Sequence, residues 1–182
     1  MTAPTLMIVD MQQAIDDPFW GRRGQPDVER NIAALLANWR ERDGEILHVR
    51  HDSTNPASPY APDRSGNAFK AECAPQNGET IVAKRTNNAF VDTNLMEQLE
   101  DLGTQELIIC GVLLENSVAA TVRMAANVGF HVHLPPDCVA STDRTDRTGT
   151  KWTAEDVHAL WLSILERPSI NLTSASQLME RA

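Results

Sequence analysis

Short apolar runs alternate with stretches of helical periodicity along most of the chain. Thr5 to Val9 is a continuous run ending in Asp10, and Ile46 to Val49 is a second. Glu79 to Ala83 is a third, followed by Lys84, and Leu107 to Ile109 is the centre of a fourth that Gly111 ends. Phe130 to Leu134 and Ser169 to Leu172 complete the set. Runs of this length without polar alternation read as strands buried on both faces, which is the habit of a parallel sheet. Helices are predicted between them. Val28, Ile32, Leu35, Leu36 and Trp39 share a face from Asp27, read as an N-cap, to Gly44. Thr93 to Leu102 turns Leu95, Met96 and Leu99 inward, and Gly103 stops it. From Glu115 to Gly129, Val118, Val122 and Ala125 line up, and the helix after Thr153 is expected to bury Val157, Leu160, Trp161 and Ile164 before Pro168. Alternating strands and helices predict an open α/β fold, with a mostly parallel sheet covered by helices on both faces.

A chain of 182 residues with 42% hydrophobic residues fits one domain over 1–182 with a full core. The 25 acidic and 16 basic residues leave a net charge of -9, against nucleic acid and anionic membrane surfaces and in favour of a small-molecule partner. Three cysteines, Cys73, Cys110 and Cys138, have no metal-like spacing, and Asp10, Asp16 and Asp17 break any leader-like apolar run. The expectation is a reduced, cytoplasmic protein. No apolar run approaches the ~20 residues that cross a bilayer.

Three residues occupy positions where chemistry is done in such folds. Asp10 and Lys84 each stand at the carboxyl end of a predicted strand, and Ser117 opens the helix after the fourth. In an open parallel sheet that edge holds the ligand, and the free N–H groups of a helix start favour a developing negative charge. Each also has a plain structural reading: Asp10 as a turn cap, Ser117 as an N-cap, Lys84 reaching to solvent. The M-Q-Q-A after Asp10 lacks the G-x-G-x-x-G turn of a dinucleotide site, so no such cofactor is expected. Phe19 and Trp20, in the Pro- and Gly-rich loop 16–26, either wall a pocket or pack on the domain. The stretch from Ser53 to Gly78 is too long for a plain connection and fits a cover over the site. His48, His51 and Asp52 invite a metal reading but have no convincing third ligand, and no metal is predicted. Cys110 and Cys138 read as packed thiols, and Thr142 to Lys151 as a solvated loop or, second, an anion clamp for a neighbouring subunit.

Asp10 in L-M-I-V-D-M-Q, Lys84 in I-V-A-K-R-T-N-N-A-F and the segment E-L-I-I-C-G-V-L-L-E-N-S-V-A-A-T-V-R together resemble the isochorismatase-like cysteine hydrolases, over nearly the whole chain. The resemblance implies a Rossmann-like three-layer sandwich without a dinucleotide site, its six strands in the order 3-2-1-4-5-6. It implies a triad of Asp10, Lys84 and the nucleophile, an oxyanion hole from the backbone N–H groups of Leu113 and Ser117 behind a cis Val112–Leu113 peptide, and Phe90 lining the pocket. It also implies no cofactor and a homo-oligomer, a dimer or larger. Two departures stand out: Ser117 takes the place of the family's cysteine, and Leu114 that of its usual threonine. Ser117 is either a natural departure or a Cys-to-Ser change made to trap a ligand, and the second departure favours the natural one. The D-W-H segment of the nicotinamidases is absent. The implied activity is hydrolysis of a C–N bond in a small amide. The alternatives are a vinyl-ether hydrolysis of the isochorismate type, using Asp10 without a covalent nucleophile, and a silent small-molecule-binding member.

Overall fold

The side chains of Thr5–Val9 (β1) are buried without exception, as a strand with apolar layers on both faces requires. In the computed structural model, which describes residues 3–181, β1 lies between Ile46–His51 (β2) and Glu106–Val112 (β4), parallel to both. Thr80–Lys84 (β3) adds beyond β2. His131–His133 (β5) pairs with β4 on the other side, and Val139–Ala140 (β6) pairs with the carboxyl end of β4. Arg144–Thr145 (β7) and Lys151–Trp152 (β8) form a separate antiparallel ribbon, and Ile170–Asn171 (β9) closes the main sheet beside β5. The path is β3-β2-β1-β4-β5-β9, so the order implied by the resemblance is found, with Ile170–Asn171 as its sixth strand and β6 a seventh off the path.

Alternation along β1 divides the core. Met7 and Val9 join one apolar cluster, and Leu6 and Ile8 join the other. The first cluster takes Leu95 and Leu99 from Leu95–Asp101 (α2), Val122 and Ala125 from Ala119–Asn127 (α3), and Leu165 from Ala154–Leu165 (α4). The second takes Ile32, Leu35 and Leu36 of Val28–Glu41 (α1) and Leu178 of Ala175–Arg181 (α5). Helix, sheet and helix therefore make three layers.

Several expectations change in detail. Asp27 makes no side-chain cap and instead pairs with Arg30 at 3.0 Å. Leu160 is 54% exposed, because the inward stripe of α4 runs through Val157, Trp161 and Leu165. The stretch read as a solvated loop from Thr142 contains the β7–β8 ribbon, and Arg144 is spent on Glu115 of its own chain at 2.8 Å. Among the described residues, no helix is long and apolar enough to cross a membrane.

Candidate active site

Strand order reverses between β1 and β4, and at such a switch point the loops leaving the two strands diverge and open a crevice. Asp10 leaves β1 with φ 55°, a left-handed conformation in which aspartate is enriched, while its N–H is held by the Val49 carbonyl at 2.9 Å. Gly111, opposite Val9 in the register, has φ 129°, and a Cβ there would fall 2.0 Å from the Val9 carbonyl oxygen. Only glycine lets β4 pass this close to the strand that delivers Asp10. The Val112–Leu113 peptide that follows is cis. Leu114–Val118 then forms one wide helical turn, closed by Val118 N–H on the Leu113 carbonyl at 3.2 Å, before α3 begins. Insertions of this kind re-aim side chains and recur at functional positions.

Asp10, Lys84 and Ser117 converge at this edge. Lys84 Nζ donates to Asp10 Oδ2 at 2.7 Å and to Ser117 Oγ at 3.3 Å, and it also reaches the Thr86 carbonyl at 3.1 Å and His51 Nδ1 at 3.3 Å. The lysine is fully buried, Asp10 is 3% exposed and Ser117 5%. A buried lysine is rare unless paired, and here the carboxylate and three further acceptors surround its ammonium. Asp10 Oδ1 is buried and has no hydrogen-bond partner among the described residues.

Within the 53–78 stretch, the sequence did not single out which residues wall this group. Tyr60, 6% exposed, directs its hydroxyl at the Asp10 carbonyl at 3.4 Å, and its ring meets those of Trp20 and His51 edge to face. Asn67 and Gln12, both buried, tie the 53–78 stretch to β2: Asn67 Nδ2 donates to the His51 carbonyl at 3.1 Å and to the Tyr60 carbonyl at 2.9 Å, and Gln12, which bonds both backbone groups of His51, donates to the Asn67 carbonyl at 2.8 Å. Trp20 Nε1 donates to the Ala14 carbonyl at 2.9 Å. Glu115, two positions before Ser117, accepts on Oε1 from the Thr142 N–H and hydroxyl and from Arg144, which fastens the wide turn to the β7 segment.

Asp10, Trp20, His51, Tyr60, Leu113 and Ser117 are among the residues enclosing a cavity of about 70 Å³. A second, open cleft of about 960 Å³ adjoins it and shares Trp20, His51 and Ser58; Phe19 stands in its rim, 76% exposed. Phe90 is placed elsewhere: its ring lies beside Phe130, centroids 6.3 Å apart, packed on the core and outside the lining of either cavity. Among the described residues no three of His, Cys, Asp and Glu gather as a metal set, and His48 is engaged with Glu79 at 2.8 Å.

Burial lowers the pKa of His51, and the Lys84 charge lowers it further, so the ring is neutral near pH 7 and Nδ1 accepts from the ammonium. Burial likewise lowers His48, against the opposing pull of Glu79, and lowers His158. Glu79 is brought down to about 2: burial opposes the shift, but Arg40, the Gln76 amide and His48 outweigh it. For the three histidines the folded state resists a proton that the unfolded chain accepts near 6.5. Their contribution is complete above that pH and lost as pH falls below it. The melting temperature is therefore expected to fall between pH 7.5 and 5.5, with a shallower slope in His48→Gln; a flat profile in the parent would contradict the burial argument.

A doubly wound α/β domain thus brings an acid, a buried ammonium and a hydroxyl together at its switch point. Residues 4–159 match the isochorismatase domain, and the chain belongs to the isochorismatase family, whose members are hydrolases. It is 33% identical over 174 residues to YrdC, an isochorismatase family protein of Bacillus subtilis (strain 168), covering 96% of this chain and 93% of that one. It is 35% identical over 155 residues to a streptothricin hydrolase of Streptomyces noursei, covering 79% of this chain and 60% of that protein. An isochorismatase-family crystal structure from Chromobacterium violaceum ATCC 12472 superimposes with a TM-score of 0.94 at 44% identity, covering 98% of this chain and 92% of that one.

Proposed function

We propose that the protein hydrolyses the C–N bond of a small amide, with Ser117 as nucleophile, Lys84 as its charge partner and Asp10 as the proton carrier. The observation that carries this reading is the convergence of the three side chains: Lys84 Nζ donates to Asp10 Oδ2 at 2.7 Å and to Ser117 Oγ at 3.3 Å, beside a cavity that Asp10 and Ser117 both line. A buried ammonium that joins a carboxylate to a hydroxyl gives the hydroxyl a countercharge and places a proton acceptor near it. Ser117 Oγ attacks the carbonyl carbon as its proton passes to Asp10, and the Lys84 ammonium stabilises the charge that develops on Oγ. The backbone N–H groups of Leu113 and Ser117 receive the oxyanion. Asp10 returns the proton to the departing nitrogen as the C–N bond breaks. Water then attacks the ester, giving one proton to Asp10, which passes it to Ser117 as the acid leaves.

The charges around the cavity favour a neutral reacting group. Its lining includes Asp10 but no lysine or arginine, Lys84 is committed behind it, and His51 is neutral. A dicarboxylate such as isochorismate would meet no free cation there. The streptothricin hydrolase among the relatives is in keeping with an amide-type bond. The test is a panel of carboxamides and ureides set against isochorismate. Amine or ammonia release from members of the first group, with a mass adduct on Ser117, is expected; product from isochorismate alone would overturn the reading.

A further inference from the structure

The two joined cavities differ in size and lining, and that difference limits what the site can take. The inner one, about 70 Å³ against about 960 Å³ for the outer, has room for a small reacting group such as a carboxamide but not for the body of a substrate. The outer cleft, about 960 Å³, lies near the upper end of the range for organic ligands. A substrate that uses both places its reacting group inside and a much larger body outside.

The lining of the outer cleft says what that body is. Phe19 and Trp20 meet edge to face, centroids 5.1 Å apart, and Phe19 presents its ring to solvent. Asp16 and Asp17, just before this aromatic pair in sequence, line the same cleft. Asp16 is paired with Lys70 at 2.5 Å and approached by Arg23 at 3.9 Å, and those two cations also serve Glu29. Asp17 accepts only the Phe19 N–H, through Oδ1 at 2.9 Å, and has no cationic partner among the described residues. The one arginine in the lining, Arg64, is tethered to the Pro56 carbonyl at 3.1 Å. An aromatic face beside an unpaired carboxylate attracts an organic cation, and a net charge of -9 concentrates cations at such a cleft.

We propose that the site takes an extended amide whose neutral carboxamide enters the inner cavity and whose body, bearing an ammonium or guanidinium group, lies against Phe19 and Trp20 with its charge at Asp17. This rests on the amide-hydrolase reading, so binding is measured without turnover. The probes are Nα-benzoylarginine amide and Nα-benzoylcitrulline amide, which share a shape and differ in charge, titrated calorimetrically into full-length Ser117→Ala protein. The arginine amide is expected to bind at least tenfold more tightly. Asp17→Asn, which keeps an acceptor for the Phe19 N–H, is expected to bring the two within about twofold, and Phe19→Ala to weaken both. Equal binding of the two probes, binding of neither, or a preference unchanged in Asp17→Asn would overturn the proposal. If the parent hydrolyses no amide while the charge preference holds, the reaction assignment fails and the recognition site stands.

Discussion

Lys84→Met is expected to destabilise the fold by about 3–4 kcal/mol at pH 7 and to remove at least ~10³-fold of kcat/KM. The lysine is fully buried, so its removal leaves Asp10, 3% exposed, without a countercharge. Breaking a buried pair by deleting one partner costs about 3–5 kcal/mol. At ~2–4 °C per kcal/mol, the melting temperature drops by roughly 6–16 °C at pH 7. Adding Asp10→Asn to Lys84→Met removes the stranded charge, and is expected to restore most of the stability and none of the activity. Chemical denaturation at pH 7 with both variants measures each step. A Lys84→Met protein within 1 kcal/mol of the parent at pH 7 would show that the ion pair does not hold the site.

The parts of this arrangement that were legible in the sequence are those with a period or a continuous run. The β1 run and the 3.6-residue stripe of α1 record burial directly, because each side chain in them meets the core. The same is true of the end of β1 that carries Asp10, whereas β3, at the sheet's edge, buries Val82 and Lys84 and leaves Ile81 exposed. The two-residue strands β6 to β8 carry no period at all. Val139 and Ala140 pair with β4 after a turn begun by Pro135 and Pro136, and the ribbon is closed by Asp146 Oδ1 accepting the N–H groups of Thr148 and Thr150. Leu160 has the spacing of a core residue but sits at the edge of the stripe, where three-residue spacing rotates it outward.

The part of the wall contributed by the 53–78 stretch was illegible for a different reason. Tyr60 and His51 lie nine positions apart, yet their rings meet because Asn67 and Gln12 fold the 53–78 stretch back on β2. Such placement depends on hydrogen bonds between buried amides, and a polar, proline-rich segment gives no sign of which amide will be buried. Phe90, a position carried over by resemblance, turns here to Phe130 and packs on the core. The two aromatics read from loop composition alone, Phe19 and Trp20, do line the outer cleft, and Trp20 reaches the inner cavity as well.

Ser117→Ala and Ser117→Cys test the nucleophile from opposite sides. The alanine variant loses one hydroxyl that Lys84 approaches at 3.3 Å, while the ammonium keeps its other acceptors, so the cost in stability is expected to stay within ~1.5 kcal/mol. Turnover of an amide found in the panel is expected to fall at least ~10³-fold, since deleting a covalent nucleophile removes the pathway itself. Activity retained in this variant would transfer the chemistry to Asp10 acting without a covalent intermediate. The cysteine variant gives a reading independent of any substrate. An ordinary thiol, pKa ~8.5, is a few per cent thiolate at pH 7, and a cation at Lys84's distance increases that fraction. The native thiols are poor competitors: Cys73, Cys110 and Cys138 are fully buried, burial pushes Cys73 up to about 12, and it raises Cys110 as well. At pH 7 a thiol of pKa 12 is about 10⁻⁵ thiolate, so the introduced thiol is expected to react with iodoacetamide about 10³-fold faster than Cys73, with a midpoint below 8.5. Adding Lys84→Met is expected to return that midpoint to 8.5 or above. A midpoint indifferent to Lys84 would show that the ammonium does not act on the atom at position 117, and the proposed nucleophile would lose its physical basis.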